Sequence, residues 1–165
     1  RIAEVARQLD FPVIYPLFLM EHRGVRIDAS LLDVMSKELG DEYTTLEQEI
    51  YQAAGSEFNI GSPAQLSEVL FTKLQLPTTG IKKGKTGYST DQKTLDKLRG
   101  QHPIVELIER TRELAKLKNT YVDTLPKLAD QHDRIHTTFT QDVEATGRLR
   151  KNYKNIQNIQ VGIEI

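Results

Sequence analysis

Cysteine is absent from this sequence of 165 residues. Disulfide staples, thiolate metal sites and thiol nucleophiles are thereby excluded together, and a reducing compartment is favoured. An excess of charge of one sign is missing too: 22 Lys and Arg stand against 23 Asp and Glu, a formal net charge of −1. Global charge therefore argues for neither a nucleic acid nor an acidic ligand, and any basic site must be local. Long apolar runs are also lacking. The most apolar stretch, Phe11 to Met20, is about half as long as a membrane span and contains Pro12 and Pro16, so a soluble protein with no membrane partner is expected. No internal repeat or low-complexity segment stands out. The length suits one domain, or a domain plus the beginning of another. A start at Arg1 with no initiator Met, and an end in "IQVGIEI", read as a fragment of something larger.

What is present is mainly helical periodicity. The first twenty-odd residues read as helical segments, with Pro16 beginning a new helix and Gly24 closing it. "VRID" is a short extended piece, and Asp28 is a good N-cap. From Ala29 to about Ala54, Leu32, Met35, Leu39, Tyr43, Leu46 and Ile50 recur at intervals of three or four, one stripe of a long amphipathic helix. Ser62 as N-cap and Pro63 at the first helical position start another helix, with Leu66, Val69, Leu70 and Leu74 as its buried face. Leu76 to Thr90 carries three Gly and no apolar period, and reads as a loop. Ser89 or Thr90 can cap a short helix, Asp91 to Arg99. After Pro103 a long stripe runs to Leu125, about 35 Å of helix, and Pro126 bends or restarts it. Two helices of this length are expected to pack antiparallel as a stalk. "RIHTTFTQ" alternates as a strand, and "VEATGRL" is expected to pair with it. The fold class is α+β, predominantly helical: a helical part over 1–130 with its tip at about 58–100, then a small antiparallel β element over 131–165.

Three stretches tempt a chemical reading. "GIKKGKTG" ends like a phosphate-binding loop, but Thr79 stands where that pattern needs its first Gly, and no buried strand feeds it. The plainer reading is a cationic tip in which Lys82, Lys83, Lys85, Lys93, Lys97 and Arg99 outnumber Asp91 and Asp96. That tip is either solvated charge or, with Ser89, Thr90 and exposed backbone N–H groups beside it, a seat for phosphates. His132 and His136 have helical metal-pair spacing, yet the residues around them read as turn and strand, which separates the imidazoles. The acids are scattered along helices. Glu109 and Glu113 sit at pairing distance from Arg110, Arg112 or Lys116, by default a solvated face, and no carboxylate pair is set among apolar strand residues as two-metal chemistry needs.

In order, "RGVRID", "FNIGSPAQLSEVLFTKLQLP", "KTGYSTD", "RELAKLKNTYVDTLPKL", "RIHTTFTQ" and "ATGRL" followed by "NIQNI" resemble the bacterial-type family A DNA polymerases, over nearly the whole chain from about Pro16. The resemblance implies a thumb subdomain, a helical stalk whose tip holds primer–template duplex, followed by the first strands of the palm. It implies that Asn59, Ser62, Lys85, Thr86, Ser89 and Thr90 contact the DNA backbone, as do Lys116, Lys118, Asn119 and Thr120. Arg148 would lie in the minor groove near the primer end, with Asn155, Gln157 and Asn158 reaching the strands beside the active site. Such groups suit a groove whose acceptors are shared by all base pairs. The implied partners are duplex DNA and the remainder of the polymerase chain. Mg²⁺ is implied for the parent enzyme, with its catalytic aspartates beyond Ile165; no catalytic residue, metal or cofactor is expected in this segment. The implied location is intracellular, bacterial or organellar. This sequence departs from the family where Arg150 to Lys154, "RKNYK", replaces a Ser-rich turn and an Asp- or Asn-Pro step. It departs again at Ile156, at Gln160 to Gly162, and at Gly61, where Asn is frequent. The alternative to a polymerase segment is a non-catalytic helical interaction module with a basic tip loop.

Overall fold

A computed structural model describes residues 2–140 and 150–151. They are predominantly helical, with three two-stranded antiparallel pairs, the α+β class expected. The chain divides into two compact units, residues 34–119 and residues 1–33 with 120–165.

Within residues 34–119 lies most of α3 (Ala29–Ala54), followed by α4 (Pro63–Ser67), α5 (Gln92–Leu98) and α6 (Ile104–Leu117). The predicted α3 stripe is present, but it is fully buried only at Leu39, Leu46 and Ile50, with Ala54 beyond them. Gly55, at φ +67°, ends the helix in the left-handed conformation that favours glycine. Ser62 caps α4 by accepting from the Gln65 N–H, and Pro63 follows in its first turn. The helix continues through a wider turn, Glu68–Lys73, whose exit N–H at Leu74 reaches back five residues to the Val69 carbonyl at 2.9 Å. Leu66 and Leu70 from this segment, Leu95 and Leu98 from α5, and Ile104 and Ile108 from α6 close on Ile50 in one apolar core. The core carries the unit's stability: burial of a Leu or Ile side chain contributes about 1.5–3 kcal/mol.

Lys118 Nζ donates to Ser36 Oγ at 2.9 Å and Arg110 Nη2 to Glu42 at 2.6 Å. Residue numbers rise along α3 as they fall along α6 and its continuation, so the two run antiparallel, as the stalk reading expects. The predicted 103–125 helix is interrupted in geometry rather than ended. Regular α turns stop at Leu117 and a wider turn, Lys118–Val122, carries the chain on. Thr111 is buried on the stripe because its hydroxyl donates to the Leu107 carbonyl at 2.8 Å.

Two local expectations are corrected in this unit. Part of the predicted 76–90 loop is a hairpin, β2 (Lys83–Gly84) with β3 (Gly87–Tyr88), turning at Lys85 and Thr86. Its short, Gly-containing strands have no alternation for a sequence pattern to detect. The cap of α5 is Asp91, whose carboxylate accepts from the Thr94 N–H at 2.9 Å, rather than Ser89 or Thr90. Ser89 Oγ is already accepting the Asp91 N–H at 3.2 Å.

In the other unit, α1 (Ile2–Val5), a wide turn (Ala6–Asp10) and α2 (Phe11–Arg23) form one helical run. Pro16 lies inside α2 and does not restart it. Gly24, at φ +64°, turns the chain into β1 (Val25–Arg26). β1 pairs antiparallel with β4 (Arg134–Ile135), so the first part of the alternating segment finds its partner far back in the sequence. β5 (Phe139–Thr140) pairs antiparallel with β6 (Arg150–Lys151), while the expected partner "VEATGRL" lies outside the described residues. β6 falls at the start of the "RKNYK" departure.

Candidate nucleic-acid interface

The tip of the 34–119 unit is built from the chain ahead of α4, the hairpin, and the approach to α5. Asn59 is exposed and folds back on its own loop: its Oδ1 accepts the Gly61 N–H at 2.9 Å, while its N–H donates to Gln65 Oε1 at 2.7 Å. Its carbonyl accepts from Ser62 N at 2.9 Å. Ser62 is half-buried by its capping role. Lys85 and Thr86 are exposed at the hairpin turn.

The hairpin docks tightly on α4. Ser67, only 4% exposed, accepts the Tyr88 N–H on its Oγ at 2.8 Å. The Tyr88 ring lies 5.0 Å from that of Phe71, and Lys83 Nζ sits 5.3 Å above the Tyr88 ring. Pro63, Lys82, Thr86, Ser89 and Arg112 line a shallow open groove at this point. The structure therefore brings Ser62, Lys85, Thr86, Ser89 and Thr90 to one end of the unit.

Thr90 differs from its neighbours. It is 6% exposed, and its carbonyl accepts from Arg112 Nη1 at 2.5 Å. Arg112, on α6, is half-buried. Burial pulls its pKa below the usual arginine value, while the charges of Asp91 and Glu109 oppose that shift. Lys116 is exposed one helical turn beyond Arg112, on the same side of α6. Lys118 is half-buried against Ser36, and Asn119 is exposed. Thr120 is half-buried and belongs to the other unit. Arg148, Asn155, Gln157 and Asn158 lie outside the described residues.

The cationic tip is narrower than its composition suggests. Lys97 Nζ donates to the Gly80 carbonyl at 2.7 Å, and Arg99 Nε pairs with Glu109 at 2.8 Å. Glu109 was expected on a solvated face, yet it is 7% exposed and also accepts from Gln92 at 2.5 Å. The bond that Arg99 donates to Glu109 in turn raises the Arg99 pKa. Lys82, Lys85 and Lys93 remain exposed. Ammonium groups with hydroxyls and a rigid turn between them can hold an anionic backbone. Ser67 and Arg112 are the positioning groups that sequence reading missed. Arg112 looked like an ordinary helix-surface cation, and only the Gly at 87 hinted at a close approach.

Elsewhere, His136 does not face His132. It bonds the Glu21 carbonyl through Nδ1 at 2.8 Å and Asp130 through Nε2 at 3.1 Å. Among the described residues no three His, Asp or Glu side chains converge as metal ligands, and no helix is long and apolar enough to cross a membrane.

Residues 29–165 match the model of DNA polymerase family A. The chain is 47% identical over 161 residues to DNA polymerase I of Synechocystis, covering 97% of this chain and 16% of that protein. It is 47% identical over 156 residues to the thermostable DNA polymerase I of Thermus caldophilus, covering 93% of this chain and 19% of that one. Its fold is similar to the POL domain of Pol1 from M. smegmatis, solved in complex with DNA primer-template and dNTP. The TM-score is 0.82 at 37% identity, over 98% of this chain and 30% of that one. The chain thus spans less than a fifth of the length of these two curated relatives.

Proposed function

The chain belongs to DNA polymerase family A, and from that premise we propose that it is the duplex-gripping segment of a DNA-directed DNA polymerase serving replication and repair. Residues 1–130 act as the thumb, with a tip at about 58–100, and 131–165 begin the palm. Asn59, Ser62, Lys85, Thr86 and Ser89 hold the phosphate backbone. Lys116, Lys118, Asn119 and Thr120 extend that track. Thr90 acts from behind, through Arg112. Arg148, Asn155, Gln157 and Asn158 serve the minor groove near the primer end. The partners are primer–template DNA and the rest of the polymerase, in an intracellular setting.

The observation that carries this reading is the Lys85–Thr86 turn, exposed on a docked hairpin beside the Ser62-capped start of α4. It offers charge and hydroxyls on a rigid support, with no nucleophile and base aligned for covalent chemistry. The family implies divalent metal in the parent enzyme. Nucleotidyl transfer is assigned, in this reading, to other parts of the polymerase.

Fluorescence anisotropy of a labelled primer–template duplex tests the proposal. The chain should bind with log K falling linearly in log salt, by about 0.9 per phosphate neutralised. Lys85→Ala with Arg148→Ala should weaken binding and flatten that slope. Unchanged affinity and slope in the double variant would overturn the duplex reading, and nucleotide incorporation by the chain alone would overturn the division of labour.

A further inference from the structure

We propose that Ser67 and Gly87 form a latch that fixes the pose of the Lys85–Thr86 turn, which makes Ser67 a positioning residue for duplex binding. The inference rests on the duplex-gripping reading and adds to it the device that aims the tip. The hairpin has two cross-strand pairs, Lys83 with Tyr88 and Gly84 with Gly87, and a Ser89 N–H bond of 2.8 Å to the Lys82 carbonyl below them. A two-stranded ribbon of that size does not hold its shape in water unaided. Its geometry must come from what it leans on.

That support is α4. Gly87 adopts φ +133°, and a Cβ built there would stand 2.5 Å from Ser67 Oγ and 3.0 Å from Ser67 Cβ. Backbone and helix side chain are thus in direct contact, a spacing open to glycine alone. On the next residue the Ser67 hydroxyl accepts the Tyr88 N–H, and the Tyr88 ring rests on Phe71 one helical turn along from Ser67. Shape, hydrogen bond and ring contact fix three successive features on one side of the hairpin. Lys85 and Thr86, at its turn, are exposed. A phosphate contact needs its ammonium held in place before the ligand arrives, because ordering it during binding costs affinity.

The test is a double-mutant cycle on the full chain, read by duplex anisotropy, with amide exchange at Tyr88 as a second readout. Ser67→Ala should speed Tyr88 exchange and weaken duplex binding about fivefold, the worth of one neutral hydrogen bond. In a Lys85→Ala background the same substitution should cost clearly less, since only Thr86 remains to be aimed. Gly87→Ala, which forces the hairpin off the helix, should weaken binding more than Ser67→Ala does. If Ser67→Ala binds duplex like the wild type while Lys85→Ala binds weakly, the latch is wrong and the grip survives. An equal loss in both backgrounds makes Ser67 merely structural and also overturns the latch. If Lys85→Ala binds like the wild type, the tip reading fails and the latch falls with it.

Discussion

In residues 34–119, Leu66, Leu70, Leu95, Ile104 and Ile108 meet Ile50 with their side chains wholly out of water. The unit that opens with α1 and α2 has a polar cluster beside its apolar burial. Asp130 Oδ1 accepts the backbone N–H groups of His132 at 2.8 Å and Arg134 at 2.9 Å, while Oδ2 takes His136 at 3.1 Å. Arg134 donates to the Gly24 carbonyl at 3.2 Å and also to that of Arg23, and His136 binds the Glu21 carbonyl. In the helical run of the same unit Leu9, Phe11, Ile14, Tyr15 and Phe18 are exposed, and Leu17 is the one buried residue of α2. One unit is held by apolar burial, which pH leaves alone; the other buries Leu17, Tyr121, Val122, Leu125 and Ile135 and adds to them directional bonds to groups that titrate. Their responses to substitution and to pH should therefore diverge.

The largest effect expected is in the apolar unit. Leu70→Ala should cost about 2–5 kcal/mol, seen as a lowered denaturation midpoint for probes within 34–119. A cost below that range would mean the core is looser than its burial implies. Next comes Gly24→Ala. At φ +64° an added Cβ would meet the Ile135 carbonyl oxygen at 2.8 Å and the His136 ring at 3.0 Å. A loss of at least about 1 kcal/mol is expected, with amide exchange at Ile27, which bonds the Asp133 carbonyl at 2.8 Å, speeding up first. Normal protection at Ile27 would show that β1 does not depend on this turn.

The smallest effect is titration of the polar cluster. The backbone N–H of Arg134, the bond from His136 and the N–H of His132 together hold the Asp130 carboxyl down to about 2. Its contribution is complete above its ordinary 3.8 and is lost as pH falls from there towards 2. His136 is raised, first by the Glu21 carbonyl and then by Asp130, above its ordinary 6.5. Its contribution is complete below 6.5 and fades as pH rises through the elevated value. The cluster should thus be tightest between 3.8 and 6.5. Amide protection at His132 and Arg134, corrected for intrinsic exchange, checks this. His136→Ala should erase the alkaline limb and keep the acid one.

What could be read from the sequence divides along similar lines. The start of α4 was legible because Ser62 and Pro63 act on residues beside them, and the α3 and α6 stripes because burial repeats with the helical period. The pairing of Val25–Arg26 with Arg134–Ile135 was not, since it joins strands over a hundred residues apart that are two residues long. Thr90 looked like a surface hydroxyl until Arg112 arrived from another helix. Glu109 looked solvated because its partners, Arg99 and Gln92, are not on its own helix.

Glu109 also has a consequence for how the tip opens. Its carboxylate takes Gln92 at the beginning of α5 and Arg99 just past its end. A helix of seven residues lies well below the length that sustains itself in water. Spliced at both ends to a single side chain of α6, α5 is expected to melt with that helix. It should exchange its amides in step with α6, as one cooperative unit, so that the approach to the hairpin either stands whole or comes apart with the stalk.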